Sequence, residues 1–109
     1  MSELRRVTRG RLVILTFDPA HRPWLTTYLP ELARLDDAQM PVLSDYARWL
    51  GQEVHISPLL VPHDCSDGFL YAYWRRPAAY LDPYIRSGSS SFWAIGHAEE
   101  GLQSLRRDL

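Results

Sequence analysis

Apolar residues fall along this chain at two different spacings. From Arg11 to Phe17 they form an unbroken run, Leu12-Val13-Ile14-Leu15-Thr16-Phe17, closed by Asp18-Pro19. A continuous run of β-branched and aromatic residues predicts a strand buried on both faces. Glu53 to Val61 reads as a second strand, with Val54 and Ile56 on one face and Pro58 marking a bulge or an edge position. Elsewhere the spacing is helical. Trp24, Leu25, Tyr28, Leu29, Leu32 and Leu35 mark one helix face, and Pro30 within it either kinks the helix or starts a second one. Pro41 to Leu50 predicts another helix, with Leu43, Tyr46, Ala47 and Leu50 inward and Gly51 as its stop.

The ends and the aromatic second half complete the pattern. Ser2 to Arg9 reads as the end of a helix, capped by Ser2 and stopped by a left-handed Gly10. Ser66 or Asp67 is placed to cap a helix carrying Phe69, Leu70, Tyr73 and Trp74. Pro77 and Pro83 cut the following chain into short turns, and Phe92 to Ile95 fits either a strand or a helix. Ala98, Leu102 and Leu105 mark a last amphipathic helix. Helix, glycine, buried strand is the order of an α/β layered fold, here one domain over residues 1–109 with two core strands at about 11–17 and 53–61.

Composition changes this picture little and narrows function more. With 46% hydrophobic and 23% charged residues, the chain has the balance of a globular domain and not of a disordered or collagen-like one. Its apolar runs are far shorter than the ~20 residues of a membrane span, and no apolar segment follows the N-terminal arginines, so a cytoplasmic location is expected. Twelve basic residues against thirteen acidic ones give a net charge of -1, which weighs against a general nucleic-acid binder. All twelve basic residues are Arg, which reads as coding bias. The single cysteine, Cys65, excludes an internal disulfide, a zinc ribbon and a CxxC redox motif. Four Trp and six Tyr supply core, and they are also what lines ligand pockets.

Candidate chemistry concentrates in Val61-Pro62-His63-Asp64-Cys65-Ser66-Asp67-Gly68-Phe69, directly after the second predicted strand. Ligands of open α/β sheets bind outside the carboxyl ends of the strands. Parallel strands would bring Thr16 to Asp18 and His63 to Asp67 to one sheet edge, as a polar cleft roofed by Trp24, Tyr71 and Trp74. The plainer reading makes Ser66 or Asp67 a helix cap and leaves His63 and Asp64 to hydrogen-bond a turn. Other chemistries fail on spacing. There is no G-x-S-x-G elbow, no third group to orient a Cys65-His63 pair, and no H-x-x-x-H or H-E-x-x-H among His21, His55, His63 and His97. Arg5, Arg6, Arg9 and Arg11 read as a solvated face, and Arg75-Arg76 as a helix C-terminus or as partners for an anionic group. None of the six glycines forms a G-x-G phosphate loop.

Ser2-Glu3-Leu4-Arg5-Arg6-Val7-Thr8-Arg9-Gly10, running into Arg11 to Pro19, resembles the passage from the fourth helix into the fifth strand of class I S-adenosylmethionine-dependent methyltransferases. The similarity is to the branch that includes ubiquinone/menaquinone-biosynthesis-type enzymes. Val61 to Phe69, Ala72-Tyr73-Trp74-Arg75-Arg76-Pro77 and Tyr80-Leu81-Asp82-Pro83 are similar to the segment after the sixth strand in a bacterial subgroup. The resemblance implies a partial Rossmann-like fold: the substrate-side portion, with the glycine-rich cofactor loop expected before Met1 and a seventh strand after Leu109. S-adenosyl-L-methionine is then the cofactor of the intact family. No residue here matches its cofactor-binding positions, and no methyl transfer is expected from this chain alone. His63 is the implied base, oriented by Asp64, for a small-molecule methyl acceptor. Asp18, Trp24, Asp67, Tyr71, Tyr73 and Trp74 are the substrate-binding candidates, and no metal site is expected. The alternative is a free-standing α/β ligand-binding module, with a homodimer formed through exposed sheet edges.

Overall fold

Pro30 decides how the longest apolar stripe folds. It has no N–H to give to a continuing helix, and it occupies the first position of a new one, so the stripe divides into two pieces: a short helix Leu25–Tyr28 and a longer one, Pro30–Gln39. In the computed structural model, which describes residues 2–51 and 53–109 apart from the Ser2 side chain, these are the second and third of seven α-helices. The order is α1 (Ser2–Val7), α2 (Leu25–Tyr28), α3 (Pro30–Gln39), α4 (Leu43–Leu50), a 3-10 helix (Pro77–Leu81), α5 (Pro83–Ser87), α6 (Ser90–Ile95) and α7 (Glu99–Asp108). Proline opens the 3-10 helix and α5 as well, and the Asp82 carboxylate caps α5 by accepting from the Tyr84 N–H at 2.9 Å. Gly51 ends α4 at φ +62°, the left-handed stop its position predicts, whereas Gly10 does not adopt a positive φ. The predicted Ser2 cap falls outside the described side chains.

The core is helical. Leu25, Leu29 and Leu32 of the split stripe pack with Tyr80, Leu102 and Leu105, so α2, α3, the 3-10 helix and α7 close on one another. Trp24, Leu70, Tyr73, Phe92 and Ile95 cover this cluster from the sides. Tyr80 sits at its centre, where its hydroxyl donates to the Leu70 carbonyl at 2.7 Å and its own carbonyl accepts from Arg86 at 2.7 Å. Burial pushes the Tyr80 phenol up to about 12. α7 approaches α2 closely enough that a Cβ on Gly101 would collide with the Tyr28 carbonyl and the Leu29 side chain.

The two-strand α/β expectation is overturned. Among the described residues there is no β-strand, and about half of the chain is helical. Residues 11–17 and 53–61 run extended with no backbone hydrogen bond between them. In the first segment Leu12, Ile14 and Thr16 are half-buried, while Val13, Leu15 and Phe17 alternate with them on an exposed face. The reason is physical. A helix pairs most of its own backbone, but a strand needs a neighbouring strand, and among the described residues neither segment pairs with one. The consequence is measurable: the surface is 8182 Å², against roughly 6,200 Å² for a compact chain of this mass. The radius of gyration, 16.4 Å, likewise exceeds the ~13 Å of a compact domain of about 100 residues. Residues 66–76 also depart from expectation. They form successive turns, with Ala72 N–H bonded to Phe69 O and Arg76 N–H to Tyr73 O, instead of a helix capped by Ser66 or Asp67.

Candidate functional site

The predicted site residues do not converge on one place. Trp24, at the entry to α2, donates from Nε1 to the Trp74 carbonyl at 2.7 Å, across fifty positions of sequence. Trp74 in turn donates from Nε1 to the Val61 carbonyl at 2.9 Å, which ties the end of the second extended segment to the aromatic turns. His63 meets the Trp74 ring edge-on at 6.5 Å between centroids. These contacts assemble Trp24, Trp74 and His63 into one neighbourhood. Beside it lies an open cleft of about 300 Å³ lined by Trp24, Tyr28, Trp74, Pro77, Leu105 and Asp108, among others.

Tyr71 belongs elsewhere. Its hydroxyl donates at 2.7 Å to the carboxylate of Asp36, which is buried on α3, and its ring packs edge-on against Phe17 at 6.0 Å. Burial first, and the bond to Asp36 second, hold the Tyr71 phenol well above the usual range. Arg22 closes the outer side with a two-pronged bond to Asp37 at 2.7 Å. Tyr71 thus anchors the first extended segment to α3 and does not roof the Trp24–Trp74 cleft. Tyr73 lies between Tyr80, 5.6 Å away, and the Arg76 guanidinium, 4.7 Å above its ring. It serves as core cover.

The sheet-edge cleft of the sequence reading is absent for the same reason as the sheet. Asp18 accepts from the Ala20 N–H at 2.9 Å and closes a turn. Pro62 to Cys65 is another turn, closed by the Cys65 N–H on the Pro62 carbonyl at 3.1 Å. Asp64 and Asp67 are exposed, and among the described residues no hydrogen bond joins His63 to Asp64. Arg76 donates to the Cys65 carbonyl and stacks on Tyr73, so it terminates no helix. The residues that sequence reasoning missed are Tyr28, Leu105 and Asp108. Tyr28 was visible as part of the α2 stripe, but nothing in the sequence pairs it with Asp108, whose Oδ2 its hydroxyl contacts at 2.6 Å.

Two absences bear on cofactors. Among the described residues no three His, Cys, Asp or Glu side chains converge as a metal site requires. The described glycines do not build a nucleotide cradle either: Gly51 and Gly96 end helices in the left-handed region, and Gly101 serves the α2–α7 contact. S-adenosylmethionine has no fitting strand–loop–helix among these residues, and no step through it is derived. No helix among the described residues is long and apolar enough to cross a membrane.

With this geometry in hand, the chain can be set beside known proteins. No protein-family model and no curated protein matches it. It is similar to one solved structure, described as a candidate methyltransferase of an antibiotic biosynthesis pathway from Anabaena variabilis. The match has 38% sequence identity and a TM-score of 0.72, and it covers 86% of this chain. The chain spans 41% of the length of that protein, so the greater part of the neighbour lies outside the match. The likeness supports a methyltransferase-type arrangement for this region.

Proposed function

We propose that residues 1–109 are the acceptor-side portion of an S-adenosylmethionine-dependent methyltransferase acting on a small molecule, silent in catalysis without the cofactor-binding half. The observation that carries this reading is the 38% identity and the 0.72 TM-score over 86% of the chain. The resemblance of Ser2 to Pro19 and of Val61 to Pro83 to class I S-adenosylmethionine-dependent methyltransferases supports it as well. Placement in the ubiquinone/menaquinone-like branch rests on that resemblance alone.

In this reading the cleft beside Trp24 and Trp74 receives the body of the acceptor, and His63, edge-on to the Trp74 ring beyond the cleft's lining, is the candidate base for a group that reaches out of it. Methyl transfer is an in-line displacement. The protein's part is to orient the acceptor and, for an oxygen or nitrogen acceptor, to remove its proton. Asp64 follows His63 in the chain and supplies negative charge near it.

The test replaces the matched region of the Anabaena protein with this chain. The chimera is expected to bind S-adenosylmethionine with the affinity measured alongside for the intact Anabaena protein, and the chain alone to show no binding by calorimetry. One-to-one binding of S-adenosylmethionine by the chain alone contradicts the proposal. His63→Ala in an active chimera is expected to lower kcat by roughly 10²–10⁴-fold with KM little changed. An unchanged kcat removes His63 from the chemistry.

A further inference from the structure

We propose that the cleft between α2 and α7 is a site for a small organic ammonium ion, held by indole and phenol surface and by the Asp108 carboxylate. This inference deepens the acceptor reading above and rests on it for its link to methyl transfer, though not for the binding itself.

A cleft of about 300 Å³ is at the small end of the range for small-molecule sites. Three of its walls, Trp24, Tyr28 and Trp74, carry one polar hydrogen each, and all three are already engaged. Trp24 donates to the Trp74 carbonyl, Trp74 to the Val61 carbonyl, and Tyr28 to Asp108 Oδ2. Pro77, Leu105 and Leu109, the other apolar walls, offer no side-chain donor. A ligand entering here therefore meets aromatic carbon, aliphatic carbon and one carboxylate, and no free side-chain donor from these walls.

That combination sorts ligands by charge. The faces of indole and phenol rings are electronegative, so they attract a cation and repel an anion, and a carboxylate acts in the same sense. No Lys, Arg or His lines the cleft. The basic residue next to Asp108 in sequence, Arg107, is bonded to Ser104 Oγ at 3.0 Å. Tyr28 fixes the Asp108 carboxylate through one oxygen and leaves Oδ1 for the ligand. An anion would have to desolvate against rings and a carboxylate with no donor in return. A neutral alcohol gains one bond at most. An ammonium ion with an apolar body gains from both halves of the lining.

The measurement titrates the chain with benzyltrimethylammonium, benzyl alcohol and phenylacetate, by calorimetry and by the NMR shifts of the Trp24 and Trp74 indole N–H groups. The ammonium ion is expected to bind at least about tenfold more tightly than the other two and to move both indole signals. Asp108→Asn, an exposed and nearly isosteric change, is expected to lower the ammonium affinity by about tenfold and erase the preference over benzyl alcohol. Equal binding of the three probes, preference for phenylacetate, no binding at all, or an ammonium affinity untouched by Asp108→Asn overturns the proposal. S-adenosylmethionine, itself a sulfonium cation, forms a separate arm. Its saturable binding at the same indoles would leave the cation site standing and overturn the acceptor-side reading. An inactive chimera with ammonium binding intact would do the same.

Discussion

Two parts of this molecule rich in apolar side chains treat them in opposite ways. Around Tyr80 the helices bury theirs almost completely, with Leu32 at 0% exposure and Tyr80 at 2%. Along the two extended segments Val13 is 81% exposed and Leu60 87%. Hydrophobicity does not separate the two regions, because Leu12 to Leu15 is as apolar as any helix here. Backbone accounting does. The longer helices α3 and α7 pair much of their own backbone and need a neighbour chiefly for one face. An extended segment needs a neighbour for its backbone as well as for its side chains.

Substitutions can break or sharpen that contrast. The largest effect is expected from Leu32→Ala, which leaves a cavity at the centre of the helical cluster and should cost about 2–5 kcal/mol in urea unfolding. The same truncation at Leu60 should change stability by no more than about 0.5 kcal/mol. Comparable losses at the two positions would dissolve the distinction. Gly101→Ala drives a methyl group into the Tyr28 carbonyl and the Leu29 side chain, and should cost about 1–3 kcal/mol by the same measurement. An unchanged midpoint would mean that α7 moves freely against α2.

Tyr71→Phe tests the anchor that Tyr71, packed on Phe17 of the first segment, makes to α3. It removes the donor to the buried Asp36 carboxylate and is expected to cost about 1–3 kcal/mol. No loss would show that Asp36 finds another partner. The smallest effect is a pH dependence. Tyr80 ionises near 10 when unfolded and about 12 when folded, so its neutral form is favoured by the fold. Its contribution is complete below pH 10 and should decline between about pH 10 and 12, where the unfolded chain loses the proton first. Tyr80→Phe should flatten that decline in a pH series of thermal melts.

How much was legible in the sequence follows the same division. The helix stops and starts were readable because each is a local matter. Pro30, which fits either a kink or a second helix start, opens α3, and Gly51 closes α4, both through the backbone limits of proline and glycine, whereas Pro83, which reads as cutting the chain into turns, opens α5. Periodicity found the Leu25–Leu29–Leu32 stripe and the Leu102–Leu105 face that meets it. The run from Leu12 to Phe17 carried a strand's composition, but composition does not supply the second strand. Phe69 to Trp74 carried a helix's spacing, yet turns with side-chain anchors at Trp74 and Tyr73 replace it. In the site, Trp24 and Trp74 were singled out and do meet, whereas Asp18 and Tyr71 were assigned to the same cleft and serve a turn and a buried bond. Asp108 went unseen because its role depends on α7 packing against α2, a contact that no spacing within α7 encodes.

Amide hydrogen exchange followed residue by residue on the intact chain addresses the central claim most directly. Amides in α3, the 3-10 helix and α7 should exchange slowest, near the rate set by global unfolding, while those of residues 13–17 and 54–57 exchange almost as fast as in an unfolded chain. Protection of the extended segments equal to that of α3 would contradict the account, because it would place those residues in a paired and buried structure.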